Sequence, residues 1–173
     1  QERLTLLDTQ EKARDSFLEY IHHIWPSFIE GDHHRIIADK LTRVAKGELK
    51  RLIVNMPPRH TKSEFASIYF PSWVMGLKPD MKIMQTTHTA DLSINFGRKV
   101  RNLMDSDEYS KIFPKVSLAA DSKSAGKWQT SQGGEYFAAG VGGAIAGRGA
   151  DLLIIDDPHS EQDAMSINLL DSC

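Results

Sequence analysis

Arg51-Leu-Ile-Val-Asn-Met-Pro-Pro-Arg-His-Thr-Lys-Ser63 joins a short apolar run to a proline-containing, basic loop. The run is too short for a helix and stops at two prolines, so it reads as a strand over 51–55 that is covered on both faces. Such strands belong to parallel sheets layered between helices. The loop from Met56 to Ser63 then occupies the slot where strand–loop–helix units cradle phosphate. A helix is expected from Lys62 toward Trp73, with Pro71 kinking or ending it.

The flanking sequence repeats this alternation. Downstream, Lys82–Thr87 reads as a second strand. Ala90–Met104 reads as an amphipathic helix with Leu92, Phe96, Val100 and Leu103 on one side. Lys127–Thr130 and Glu135–Ala138 form an expected hairpin, 141–149 holds four glycines and reads as a loop, and 151–155 is another buried strand. Ser160 is an expected cap of a last helix. Upstream, residues 8–24 read as a helix closed by Pro26. Asp32 is the expected N-cap of a helix to about Lys46, with Ile36, Ile37, Leu41, Val44 and Ala45 as its stripe and Gly47 as its stop. Residues 105–125 have no clear pattern. The whole predicts an α/β fold with a mainly parallel sheet, whose ligands bind at the carboxyl ends of the strands. Residues 1–47 form a helical segment leading into a core over 48–173.

Composition bounds the function. The chain has 173 residues, with 21 Lys plus Arg against 23 Asp plus Glu, a formal charge of −2. Forty per cent apolar and 25% charged residues suit a globular protein and exclude a disordered one. The one cysteine, Cys173, excludes an internal disulfide framework, and no apolar run reaches the ~18 residues of a membrane span. A charge near zero argues against coating nucleic acid by bulk electrostatics. The distribution is uneven, however. His33 to Lys62 holds eight basic residues and two acidic ones, whereas Asp151 to the end holds six acidic residues and no Lys or Arg. Either these are solvated helix faces, or the first stretch feeds a polyanion site and the second a metal site.

Chemistry favours the second of these at two strand ends. Phosphate binding needs backbone amides aimed at oxygens, a Lys for the β/γ charge and a hydroxyl on Mg²⁺. Pro58, Arg59, His60, Thr61, Lys62 and Ser63 supply the loop, with Lys62 and Ser63 in the last two roles and Arg59 within reach of a γ-phosphate. Met56 and Thr61 stand where the G-x-x-x-x-G-K-[ST] pattern has glycine. A β-branched Thr in the left-handed region costs about 1–2 kcal/mol, so the loop is either strained or folds without positive φ at 61. The competing reading is a basic turn capping a strand. At the other end, Leu152-Leu-Ile-Ile-Asp-Asp157 reads as a Walker B strand, with Asp156 on Mg²⁺ through water. Asp157 stands where a Glu often polarises the attacking water, and Glu161 is a second candidate. The competing reading is a strand end with solvated acids. Zinc is not expected, since the adjacent pairs His22-His23 and His33-His34 point away from each other and no Cys completes a set.

Asn55-Met-Pro-Pro-Arg-His-Thr-Lys-Ser-Glu64, followed by Phe70-Pro-Ser-Trp73 and later by Gly142-Gly-Ala-Ile-Ala-Gly-Arg-Gly-Ala-Asp-Leu-Leu-Ile-Ile-Asp-Asp-Pro158, resembles the ATPase domain of tailed-bacteriophage terminase large subunits. The likeness runs from about His33 to Ala164. It implies a RecA-like P-loop ATPase of the additional-strand class. It further implies ATP and Mg²⁺ as ligands and ATP hydrolysis that drives double-stranded DNA into a procapsid, in the host cytoplasm. The implied partners are the portal protein, the small terminase subunit and further copies in a ring, with no membrane. Carried over, Lys62 and Ser63 take the Walker A roles, Asp156 and Asp157 those of Walker B and its catalytic neighbour, and Arg59 senses the γ-phosphate. Arg148 resembles a finger offered to the next subunit's ATP, the alternative being a loop Arg paired with a surface acid. His33, with His34 and Arg35, lies where the family contacts adenine, and His88 is placed like a sensor of the nucleotide state or as a capping histidine. Trp25, Trp73 and Trp128 are expected in the core. The family's coupling strand, between the Walker A and Walker B strands, and its nuclease domain are not found after Walker B, so weak or no turnover is expected. Two alternatives are a helicase-like translocase, which Asp156-Asp-Pro-His159 imitates, and a non-hydrolysing nucleotide-binding or assembly module.

Overall fold

The computed structural model describes residues 2–122, 124–143 and 147–159. Six α-helices are present there: α1 (Glu2–Asp15), α2 (Phe17–Ile24), α3 (Asp32–Ala45), α4 (Phe70–Leu77), α5 (Ala90–Met104) and α6 (Asp107–Ile112). Four strands accompany them: β1 (Lys82–Thr87), β2 (Lys127–Gln129), β3 (Glu135–Gly140) and β4 (Leu152–Ile155). The strands make one sheet in the order β2-β3-β1-β4. β1 is parallel to β3, from Lys82 opposite Glu135 to Thr87 opposite Gly140, and parallel to β4, from Ile83 opposite Leu152 to Thr86 opposite Ile155. β2 is antiparallel to β3. The class is therefore α/β with a mixed sheet flanked by helices. No helix among the described residues is long and apolar enough to cross a membrane.

Side-chain burial explains the strand order. β1 is buried from Ile83 to Thr87, which only a central strand can be. The short hairpin strand β2 lies at one edge, where Trp128 stacks on Tyr136 with ring centroids 4.8 Å apart. The Trp128 indole N–H donates to the Gly97 carbonyl at 3.1 Å, which satisfies it inside the core. At Gly97 a Cβ would lie 2.6 Å from the Ala125 oxygen, so only glycine lets α5 approach this closely. Ser93, Phe96, Gly97, Val100 and Met104 are the buried face of α5, at helical spacing.

The N-terminal helices share the main core. Phe17 of α2 meets Phe65 and Phe70 edge-on at 5.5 and 5.8 Å, and the Trp73 indole donates to the Ala13 carbonyl at 2.8 Å. Tyr20 and Tyr109 both converge on Ser72, through its Oγ at 2.7 Å and its carbonyl at 2.9 Å. Trp73 and Trp128 are fully buried as expected, while Trp25 is half-buried and stacks on Tyr69.

Four local expectations are corrected. The helix expected over 8–24 is two helices, because Ser16 leaves helical geometry and its hydroxyl accepts from the Glu19 amide. The N-cap of α3 is Gly31, and Asp32 is the first helical residue. The helix expected from Lys62 toward Trp73 does start at Lys62, but it runs as a π-helical turn over Glu64–Tyr69 before continuing as α4 to Leu77. Pro71 does not end it; the π-helical turn just before it shifts the hydrogen-bond register, and the helix continues through the proline to Leu77. Most consequentially, residues 51–56 form no strand. Among the described residues they make no backbone hydrogen bond to a strand. β4 ends the sheet, with Leu153 and Ile155 exposed and Ile53 86% exposed. A cleft of about 230 Å³ is lined by Leu49, Lys50, Val74, Met81, Asp151 and Leu152 among others.

Candidate functional site

The site forms where β4 runs out. The Asp156 amide donates to the Thr86 carbonyl at 3.0 Å, which holds the first carboxylate beside the centre of the sheet. Its side chain is 6% exposed, and its Oδ2 accepts from Ser67 Oγ at 2.8 Å. The backbone then turns sharply, with φ of +45° at Asp157, and swings that side chain out to solvent. The Asp157 carbonyl accepts from the His88 amide at 3.1 Å, and His88 Nδ1 lies 3.3 Å from the same oxygen, as a capping histidine.

Lys62 reaches this corner from the loop. Its Nζ lies 2.5 Å from Asp157 Oδ1 and 3.3 Å from Asp156 Oδ1. Burial works against the ammonium, but the bond to Asp157 and the charges of both carboxylates outweigh it and hold its pKa above the ordinary 10.5. One cation against two carboxylates leaves the corner with a charge of −1 on these three groups, an arrangement suited to a divalent cation. No group of three or more His, Cys, Asp or Glu side chains able to hold a metal exists among the described residues. Magnesium does not need one, since it keeps several waters and is commonly held by one or two carboxylates with phosphate oxygens.

The loop itself is strained. Arg59 has φ of +64° and Thr61 φ of +61°, both left-handed. Of the two alternatives left open by the sequence, the strained loop is therefore the one adopted. His60 Nδ1 lies 2.9 Å from the Pro58 carbonyl, and the Phe65 amide donates to the Thr61 carbonyl at 3.0 Å, closing the first turn after the loop. Ser63 has ordinary right-handed geometry at the start of this turn. Arg59 is exposed and has no ion-pair partner among the described residues.

Histidines flank the loop on one side. His33 and His34 have ring centroids 3.8 Å apart, so the expectation that adjacent histidines diverge is corrected. Both rings fold back over the start of α3, toward His60 and Thr61. His33 Nε2 is buried without a partner. His34 is buried, and desolvation, followed by the His33 charge, lowers its pKa below 6.5.

The remaining candidates lie elsewhere. Arg148 stacks on Phe137, 4.0 Å from its ring centroid, and lies 3.6 Å from Glu135 Oε1. Glu135 opens β3, at the end of the sheet opposite Lys62, so Arg148 takes no part in this corner of its own chain and pairs with a surface acid. Glu161 and the expected cap Ser160 lie outside the described residues. Ser67 was not a sequence candidate. Its signal is spacing, since it follows Ser63 by one helical turn, and only the fold brings Asp156 to it. Thr86, whose buried hydroxyl has no partner, was missed for the same reason. Comparison with protein-family models, with curated proteins and with solved structures finds no match for the chain.

Proposed function

We propose that the chain binds MgATP at the corner between the loop 58–63 and the end of β4, and hydrolyses it as the ATPase domain of a terminase-like motor. The observation that carries this reading is the convergence of Lys62 with Asp156 and Asp157, 94 and 95 residues away along the chain. A phosphate-binding lysine and a magnesium-holding aspartate have to meet at one strand edge, and a basic turn capping an isolated strand gives no reason for them to do so. The left-handed backbone at 59 and 61 lends support, since such positions turn successive amides toward a common anion.

In this reading Lys62 leaves Asp157 to neutralise β- and γ-phosphate oxygens. Ser63 and Asp156 hold magnesium, Asp156 through water and steadied by Ser67. Arg59 extends to the γ-phosphate, and Asp157, once released, orients the attacking water. His33, with its unpartnered buried nitrogen, faces the base. Bound magnesium supplies the positive charge that offsets the phosphates. Double-stranded DNA, the portal protein, the small terminase subunit and further copies of the chain are the partners this reading carries with it, in the host cytoplasm, with Arg148 available to a neighbouring subunit.

The second reading is a module that binds nucleotide without turning it over. It is favoured by the unpaired segment 51–56 and by the Asp157 carboxylate being engaged by Lys62. Titration of MgATP into the chain and into Lys62→Ala tests binding, and single-turnover hydrolysis separates the two readings. Saturable binding lost in Lys62→Ala supports a nucleotide site, and identical behaviour of the two proteins removes it.

A further inference from the structure

We infer that His34 is a positioning residue that takes over the work of the missing glycine at position 61. The Gly31 amide lies 2.9 Å from His34 Nδ1, and an amide can only donate, so Nδ1 carries no proton. The proton is then on Nε2, which donates to Thr61 Oγ1 at 2.7 Å. The Thr61 hydroxyl in turn donates to the His60 carbonyl at 2.6 Å. This relay runs in one direction from the start of α3 into the loop, and its members polarise one another. Phe65 stacks on the His34 ring at 5.1 Å and Phe28 meets it edge-on at 4.7 Å, so the ring is not free to turn away. A threonine left to itself avoids φ near +61°. The clasp holds it there and thereby keeps the amides of 60–63 in one arrangement before any ligand arrives. Glycine would need no clasp, because it populates this region readily.

The inference rests on the nucleotide reading for its consequence, but its first test does not. Nitrogen-detected NMR of the ligand-free chain at pH 7.5 reads the His34 tautomer, and amide exchange reads the order of residues 60–63. An Nε2–H tautomer is expected, with amide exchange at 60–63 faster in Thr61→Val, which lacks the hydroxyl but keeps the branch. An Nδ1–H tautomer, or unchanged exchange in Thr61→Val, overturns the clasp. The second test is a double-mutant cycle on MgATP affinity. His34→Ala is expected to weaken binding about tenfold beside Thr61, equivalent to ~1.4 kcal/mol, and less than about twofold in a Thr61→Gly background. His34→Gln, which can still donate to Thr61, is expected to restore most of the loss. Equal losses in both backgrounds would assign His34 a role unconnected with Thr61 and sink the inference. An intact clasp in a chain that does not bind MgATP would remove the nucleotide reading alone.

Discussion

Lys62 and Asp157 are joined by a 2.5 Å ion pair across 95 residues, with Asp157 held at φ of +45°. In the nucleotide reading, the cation that would meet phosphate is thus already occupied by a carboxylate of the proposed site. Asp157→Asn weakens that competitor while keeping a residue type that tolerates the left-handed backbone. MgATP affinity is expected to rise several-fold and single-turnover hydrolysis to disappear. Calorimetry with rapid-quench measurement checks both, and weaker binding in this variant would contradict the roles given to the pair.

Ser67 donates to a carboxylate that is almost fully buried. Ser67→Ala removes the bond and leaves Asp156 Oδ2 without it, at a cost of about 1.5–3 kcal/mol, as for hydrogen bonds to charged groups. A lowered urea midpoint at unchanged m-value is the expected signature. An unchanged midpoint would mean that water replaces the hydroxyl.

Arg59 has φ of +64° and is exposed. Arg59→Gly relieves about 1–2 kcal/mol of backbone strain and adds roughly 0.5–1 kcal/mol of unfolded-state entropy, so a net gain of about 0–1.5 kcal/mol is expected. Hydrolysis is expected to fall at the same time. A melting temperature that rises as activity is lost would identify the strain as serving the site; a variant less stable than the parent would mean that Arg59 has a structural partner.

His34 is held neutral by burial and by the nearby His33, so its folded-state pKa lies below the ordinary 6.5. The unfolded chain therefore binds a proton that the folded chain refuses. Its contribution to stability is complete above about pH 6.5 and is lost as the pH falls through the lower folded value. Denaturation midpoints measured from pH 7.5 to 5 are expected to fall, and to fall less in His34→Gln. Equal slopes in the two proteins would assign the acid sensitivity to other groups.

β4 ends the sheet with Leu153 54% and Ile155 57% exposed. An apolar edge strand with no strand beside it among the described residues is prone to pair with other chains. Leu153→Lys with Ile155→Lys is expected to reduce light scattering at high concentration while leaving far-ultraviolet circular dichroism unchanged. Scattering that persists in this variant would place self-association elsewhere.

Periodicity made most of the fold legible. α5, β1, the β2–β3 hairpin and β4 follow from apolar spacing and turn residues, which act locally and leave their mark within a few positions. Residues 51–56 misled because an apolar run reports that a segment can be a strand, whereas pairing depends on a neighbour elsewhere in the chain. Pro71 misled because the π-helical turn before it changes which carbonyls need a donor.

The sequence by itself determined the chemistry available after two apolar runs: a lysine and serine after the first, and two aspartates after the second. Only the tertiary structure decided that these groups meet, that Ser67 holds the buried carboxylate and that His34 reaches Thr61. It also decided that the glycine-less loop accepts a left-handed threonine. The physical reason is range. Backbone preference and hydrophobic spacing act over a few residues, but ion pairs and hydrogen bonds join whichever groups the packed core brings within about 3 Å, however far apart they lie along the chain.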